Sequence, residues 1–137
     1  MKQKIVFFDI DGTLITEDGN QTLPESTVYA IQELRRRGHL AFINSGRTLF
    51  NVIEQPYILR IGFDGYVCAC GAHILYRGEH LLTATVPSEA HAAVIDAARR
   101  YHMELLLEGP DYLYFDLSIP MNASRLYMTV FQTTERM

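Results

Sequence analysis

Apolar runs alternate with helix-periodic segments through the first half of the chain, and each run is closed by small or polar residues. Lys4 to Asp9 reads KIVFFD, almost wholly apolar until it meets acid and glycine, as expected of a buried strand in a parallel sheet. Pro24 opens a stretch in which Val28, Ile31 and Leu34 recur at helical spacing, and Arg35, Arg36, Arg37 and Gly38 close it. HLAFIN, His39 to Asn44, predicts a second strand leading into Ser45, Gly46 and Arg47. A helical stretch from Thr48 to about Gln55 is stopped by Pro56, and GYVCAC, Gly65 to Cys70, predicts a third strand. This β-α-β-α-β order predicts an α/β fold, a three-layer core with a parallel sheet and the first strand at its centre. Ligands in such sheets bind at the carboxyl ends of the strands.

The rhythm changes from Gly71. AHILYRGEHLLTATV predicts a hairpin turning at Arg77-Gly78-Glu79, Ser88 is placed to cap a helix running to about His102, and MELLLEG and DYLYFD predict two more strands. The expected organisation is a first domain over residues 1–80 and an α+β unit over 81–137, in which Tyr112, Tyr114 and Phe115 pack a small sheet.

Composition narrows the class. Of 137 residues, 48% are hydrophobic and 20% charged, a soluble globular profile rather than a disordered or collagen-like one. A net charge of -4 supplies no positive field for a phosphate backbone, so nucleic acid is excluded as a partner. No apolar run approaches the roughly 20 residues needed to cross a bilayer, which predicts a cytoplasmic protein without membrane contact. Cys68 and Cys70 stand too close in sequence for an unstrained mutual disulfide, and with no further cysteine they read as packing residues rather than a metal pair. The five histidines, His39, His73, His80, His91 and His102, show no metal-binding spacing and read as structural or exposed. The arginine run reads as a solvated helix end complementing the helix dipole.

Candidate chemistry concentrates in Asp9-Ile10-Asp11-Gly12-Thr13-Leu14. A carboxylate can attack a phosphoryl group to give an acyl phosphate, and a second carboxylate can serve as general acid and then general base. Gly12 allows a tight turn that presents amide donors to phosphate oxygens. Two acids so close call for a cation, and Mg²⁺ with oxygen ligands is the natural one. On spacing alone, a plain strand-ending turn explains the two aspartates equally well. Arg47 can pair a substrate oxygen through its guanidinium fork or form a salt bridge within the core.

The string DIDGTL behind an apolar strand resembles the first motif of the haloacid dehalogenase superfamily, whose members mostly transfer phosphoryl groups through an aspartyl-phosphate. FINSGRT, Phe42 to Thr48, resembles the second motif. The SGR form followed by GYVCACGAHI is similar to the Cof-type branch, small-molecule phosphatases carrying an α/β cap after the third strand. The resemblance implies a Rossmann-like core, Mg²⁺ held at Asp9 and Asp11, and Asp9 and Asp11 as nucleophile and proton shuttle. By the match Ser45 binds the transferring phosphoryl group, and Gly12, Thr13, Gly46 and Arg47 complete the expected phosphate-binding set. The implied substrate is a small phosphorylated metabolite, with sugar phosphates the family-level expectation.

Two departures stand out. Cys70-Gly71-Ala72 occupies the place of the branch's Asn-Gly-Ala, and the only lysines, Lys2 and Lys4, precede the first motif. The family also uses a later lysine and a Gly-Asp-x-x-x-Asp motif, which Asp96, Asp111 and Asp116 do not match. The chain thus resembles the N-terminal portion of longer relatives, ending inside the cap. The expectation is a phosphatase-type hydrolase whose 137-residue chain is inactive or severely impaired alone. The alternative is a non-catalytic truncated fragment or an assembly module acting with another chain, and exposed sheet or cap surface is expected to favour self-association in either case. A response-regulator-like phosphoacceptor would need a downstream lysine that the sequence lacks.

Overall fold

The computed structural model describes residues 2–16, 20–110 and 112–115. Two compact units divide the chain, Met1–Thr85 and Val86–Met137.

The first unit is a five-stranded sheet with helices on one face. Strands β1 (Ile5–Phe8), β2 (Leu40–Asn44) and β3 (Gly65–Cys68) are parallel, and β4 (His73–Tyr76) and β5 (Glu79–Thr83) extend them as an antiparallel hairpin in the order β1-β2-β3-β4-β5. The fold is α/β, as the alternation predicts, and Rossmann-like, as the resemblance implies. Helix α1 (Glu25–Arg36) buries Val28 and Ile31 at the expected spacing. Pro56 ends the helical run α2 (Leu49–Ile53) but also starts a further short helix, α3 (Pro56–Ile61), because proline fits the first turn of a helix. Ala41, Ile43, Cys68 and Leu75 on the sheet meet Val28, Ile31, Leu49, Val52, Ile58 and Ile61 in one core cluster.

Three details differ from the sequence expectations. Among the described residues the first unit has two layers rather than three, because the successive crossovers of β1-β2-β3 run the same way along the sheet and lay every helix on one face. The first strand is an edge strand rather than a central one, since among the described residues only β2 pairs with it. Its apolar run reports that both faces can be buried, not that both are. Ile5 and Phe7, on the face away from the helices, remain 51% and 54% exposed. On that face Phe42 stacks on Tyr76 at 5.6 Å and covers Gly65, where a Cβ would lie 2.2 Å from the ring. The third strand is also shorter than expected. It gives way after Cys68 to a tight 3-10 turn over Ala69–Gly71.

Asp64 ties the sheet's entry edge together. Its carboxylate accepts two hydrogen bonds from Arg35, each 3.0 Å, and one from the Ala41 amide at 2.9 Å. Arg36 and Arg37 instead turn outward onto Glu33, whose carboxyl they hold down at about 2. The arginine run therefore divides between a core anchor and a solvated helix end.

The second unit contains helix α4 (Ser88–Arg100) and the antiparallel pair β6 (Leu106–Glu108) and β7 (Leu113–Phe115). Pro87, not Ser88, occupies the cap position of α4, and no side-chain cap bond forms there. Tyr112 and Tyr114 are more than half exposed rather than packed. Asp111, Asp116 and the remainder of the expected second domain to 137 lie outside the described residues.

Candidate active site

Parallel pairing of β1 with β2 brings the residues after Phe8 and after Asn44 to the same edge of the sheet. The loop after β1 is anchored by its apolar positions. Ile10, Leu14 and Ile15 are 0%, 1% and 3% exposed, and the Ile10 carbonyl accepts the amides of Thr13, Leu14 and Ile15 at 3.2, 2.9 and 3.2 Å. Gly12, with φ of 72°, takes the left-handed conformation that this tight turn requires. Between the buried anchors, Asp9, Asp11, Gly12 and Thr13 are left exposed.

Asp9 takes no hydrogen bond or ion pair among the described residues, so its carboxylate is open to an incoming group. Asp11 is engaged. Arg47 grips it through Nη2 at 2.6 Å and Nε at 3.1 Å, a fork-on-carboxylate pair linking the loop after β1 to the loop after β2. Arg47 Nη1 also donates to the Tyr57 hydroxyl at 3.2 Å. Burial opposes the Arg47 charge, but the Asp11 bond and nearby Tyr57 outweigh it, so the guanidinium is held even more firmly protonated than usual. Burial likewise raises the Tyr57 hydroxyl, with the neighbouring guanidinium opposing.

Ser45 is buried at 6% exposure, with its amide donating to the Val67 carbonyl at 2.9 Å. Its Oγ accepts the Arg47 amide at 3.2 Å, which leaves the hydroxyl proton to donate elsewhere. Gly46 lies against the 3-10 turn, where an added Cβ would meet Cys70 Sγ at an ordinary 3.6 Å. Cys70 and Ala69 both adopt left-handed backbone, with φ of 52° and 49°, and the Ala69 amide donates to the Arg47 carbonyl at 2.8 Å. The cysteines differ. Cys70 is exposed, while burial pushes the Cys68 thiol up to about 11.

The sequence motifs mark Asp9, Asp11, Ser45 and Arg47, and the fold places all four at one sheet edge. Tyr57 was not legible. It reaches Arg47 from α3, and no spacing in the sequence foretells that contact.

Asp9 and Asp11 offer hard oxygen donors, the chemistry Mg²⁺ prefers. Such an ion is held by one or two carboxylates when water and phosphate oxygens fill its remaining positions; Asp9 is open for that role, whereas Asp11 fits it only through the lone pairs that the Arg47 fork leaves. Among the described residues no group of three or more His, Cys, Asp or Glu gathers to hold a metal.

Comparison with known proteins agrees with this architecture. The family model described as haloacid dehalogenase-like hydrolase matches residues 6–135. A Bacillus subtilis (strain 168) protein named "Putative phosphatase YkrA" is 36% identical over 90 residues, 66% of this chain and 34% of that protein. A crystal structure of a hypothetical protein from Geobacillus kaustophilus HTA426 superposes with a TM-score of 0.73 at 29% identity, over 83% of this chain and 43% of that one. The HAD subclass IIB sugar phosphatase BT4131 shares the fold, with a TM-score of 0.70 at 24% identity over 83% of this chain and 44% of that one. The chain spans about a third of the curated relative and less than half of these structures. The matched family model, covering nearly the whole chain and both strand-end motifs, makes this protein a member of the haloacid dehalogenase-like hydrolase family.

Proposed function

We propose that the chain carries the phosphoryl-transfer half of a phosphomonoester hydrolase, with Asp9 as nucleophile. The observation behind this reading is the contrast between two neighbouring carboxylates: Asp9 exposed and unpartnered, Asp11 held in the Arg47 fork. An Asp9 oxygen attacks phosphorus, the P–O bond to the leaving alcohol breaks, and Asp11, protonated once the arriving phosphate draws Arg47 off one of its oxygens, gives its proton to the departing oxygen. Water then attacks the aspartyl-phosphate while the Asp11 carboxylate takes its proton, which restores Asp9 and releases phosphate. Thr13, the Ser45 hydroxyl and the turn amides around Gly12 and Gly46 grip the phosphoryl oxygens. Arg47 orients Asp11 and is within reach of the same charge.

Phosphatases of this family are generally metal-dependent, and Mg²⁺ held at Asp9 and Asp11 would supply charge neutralisation for the phosphoryl group. The substrate class is a small phosphorylated metabolite, for which the relative named a sugar phosphatase is the guide. On this reading the unit beginning at Val86 is the start of a cap, five residues later than the division the sequence suggests.

The test is an amide NMR titration of the chain with Mg²⁺ and beryllium fluoride, a mimic of an acyl phosphate. Perturbation should centre on residues 9–13 and 45–47 and vanish in Asp9→Asn. Perturbation centred elsewhere, or unchanged in that variant, overturns the assignment.

A further inference from the structure

The β4–β5 hairpin brings two histidine side chains together away from the aspartate loop. His73 Nε2 lies 2.8 Å from His80 Nδ1, with the rings 5.0 Å apart between centroids and inclined by 30°. Seven positions separate the two in sequence, a spacing without metal-binding meaning by itself. The hairpin register creates the pair. Leu75 faces His80 directly across the strands, so His80 shares a sheet face with Leu75 and, two positions earlier on β4, with His73. A bulge between Ile74 and Leu75 shifts the register so that Ile74 pairs with Leu82 and His73 with Thr83. Bulges of this kind increase local twist and re-aim side chains. The turn itself is tight, with positive φ at both Arg77 and Gly78.

We propose that His73 and His80 form a two-imidazole site for a divalent transition ion that favours right-angled ligands, Ni²⁺ or Cu²⁺. Two nitrogens at about 2.0–2.1 Å from such an ion lie about 2.9 Å apart at adjacent corners, against about 3.3 Å on a tetrahedral ion such as Zn²⁺. The 2.8 Å between the two nitrogens is a hydrogen-bond separation, and it already brings them within the span of one ion's coordination shell. Binding requires each ring to turn its free lone pair to the ion. The proton now shared between the rings moves to the far nitrogen of its own ring, so both imidazoles stay neutral and no net proton is released. Among the described residues no third His, Cys, Asp or Glu joins them, so water fills the remaining positions. The site is distinct from the aspartate loop. The hairpin strands lie three and four places along the sheet from β1, about 14 Å or more at ordinary strand spacing.

Calorimetric titration of the 137-residue chain with NiCl₂ at neutral pH tests this. The expected result is one ion per chain, bound at least ten-fold more weakly in His73→Gln and in His80→Gln. Affinity should be unchanged in the double variant His91→Gln with His102→Gln. A second measurement needs no variant: paramagnetic broadening of the wild-type amide spectrum by Ni²⁺ should centre on residues 72–83. No saturable binding, binding that survives loss of either histidine, or broadening centred on Asp9 and Asp11 or on the second unit would each overturn the proposal.

Discussion

Asp64 shows how one side chain can hold several elements at once. Its carboxylate, only 13% exposed, takes the Arg35 fork from the end of α1 and the Ala41 amide from β2, while its carbonyl accepts the Arg77 amide from the hairpin turn. Burial pushes its carboxyl up, but the Arg35 hydrogen bonds and the Ala41 amide together outweigh burial and leave it below the ordinary 3.8. Asp64→Ala strands a half-buried guanidinium and an amide, and should cost about 2–3 kcal/mol. Asp64→Asn retains one acceptor and should cost less, about 1–2 kcal/mol. The pH dependence has a definite sign. A lowered carboxyl contributes stability that is present above 3.8 and lost as pH falls through the lower folded-state value. Denaturant melts from neutral pH down into that acid range should therefore show the wild-type advantage over Asp64→Asn shrinking as pH falls. An advantage that is constant with pH would mean the ion pair carries none of it.

At the scale of elements, the turn between β3 and β4 explains a departure from the family pattern. Cys70 stands where the related branch has asparagine, and its φ of 52° and ψ of 33° place it in the left-handed region. Asparagine visits that region at less cost than other L residues, because its short amide can hydrogen-bond the local backbone. Cys70→Asn should raise unfolding free energy by about 0.5–1 kcal/mol, seen as a higher melting temperature. A lower one would mean the sulfur's contact over Gly46 matters more than backbone strain. Strands and α1 were legible because their apolar periodicity is local, as in KIVFFD and the Val28, Ile31, Leu34 series. Asp9, Asp11, Ser45 and Arg47 were legible because a motif is contiguous. The split of the arginine run, the reach of Tyr57 to Arg47 and the meeting of His73 with His80 depend on tertiary contacts or strand register, which no local pattern encodes. The edge position of β1 was hidden for a related reason, since an apolar strand looks the same whether one neighbour or two pair with it.

For the molecule as a whole, the balance of charge at the aspartate loop decides what the 137-residue chain can do unaided. A phosphate dianion arriving at Asp9 meets two carboxylates, and the cation placed beside them, Arg47, is already committed to Asp11. Both lysines of the sequence precede Asp9, and no cluster of three or more metal-ligating residues gathers among the described ones. On the proposed roles, positioning by Asp9 and the hydroxyl donors remains, but neutralisation of the transition-state charge is weak. Groups that stabilise such charge each contribute about 10²–10³-fold, so a site short of a lysine and of acidic metal ligands should be slower by about 10⁴–10⁶-fold. The measurement is phosphate release from a panel of sugar phosphates with Mg²⁺, with Asp9→Asn as control. Any self-associated fraction should be assayed separately, since Ile5 and Phe7 leave apolar surface exposed on β1, the surface through which self-association would be expected. Turnover in the ordinary enzyme range of about 1–10³ per second, abolished in the control, would show that residues of this chain replace the lysine and the acidic motif. The charge argument predicts instead a slow, Asp9-dependent release far below that range.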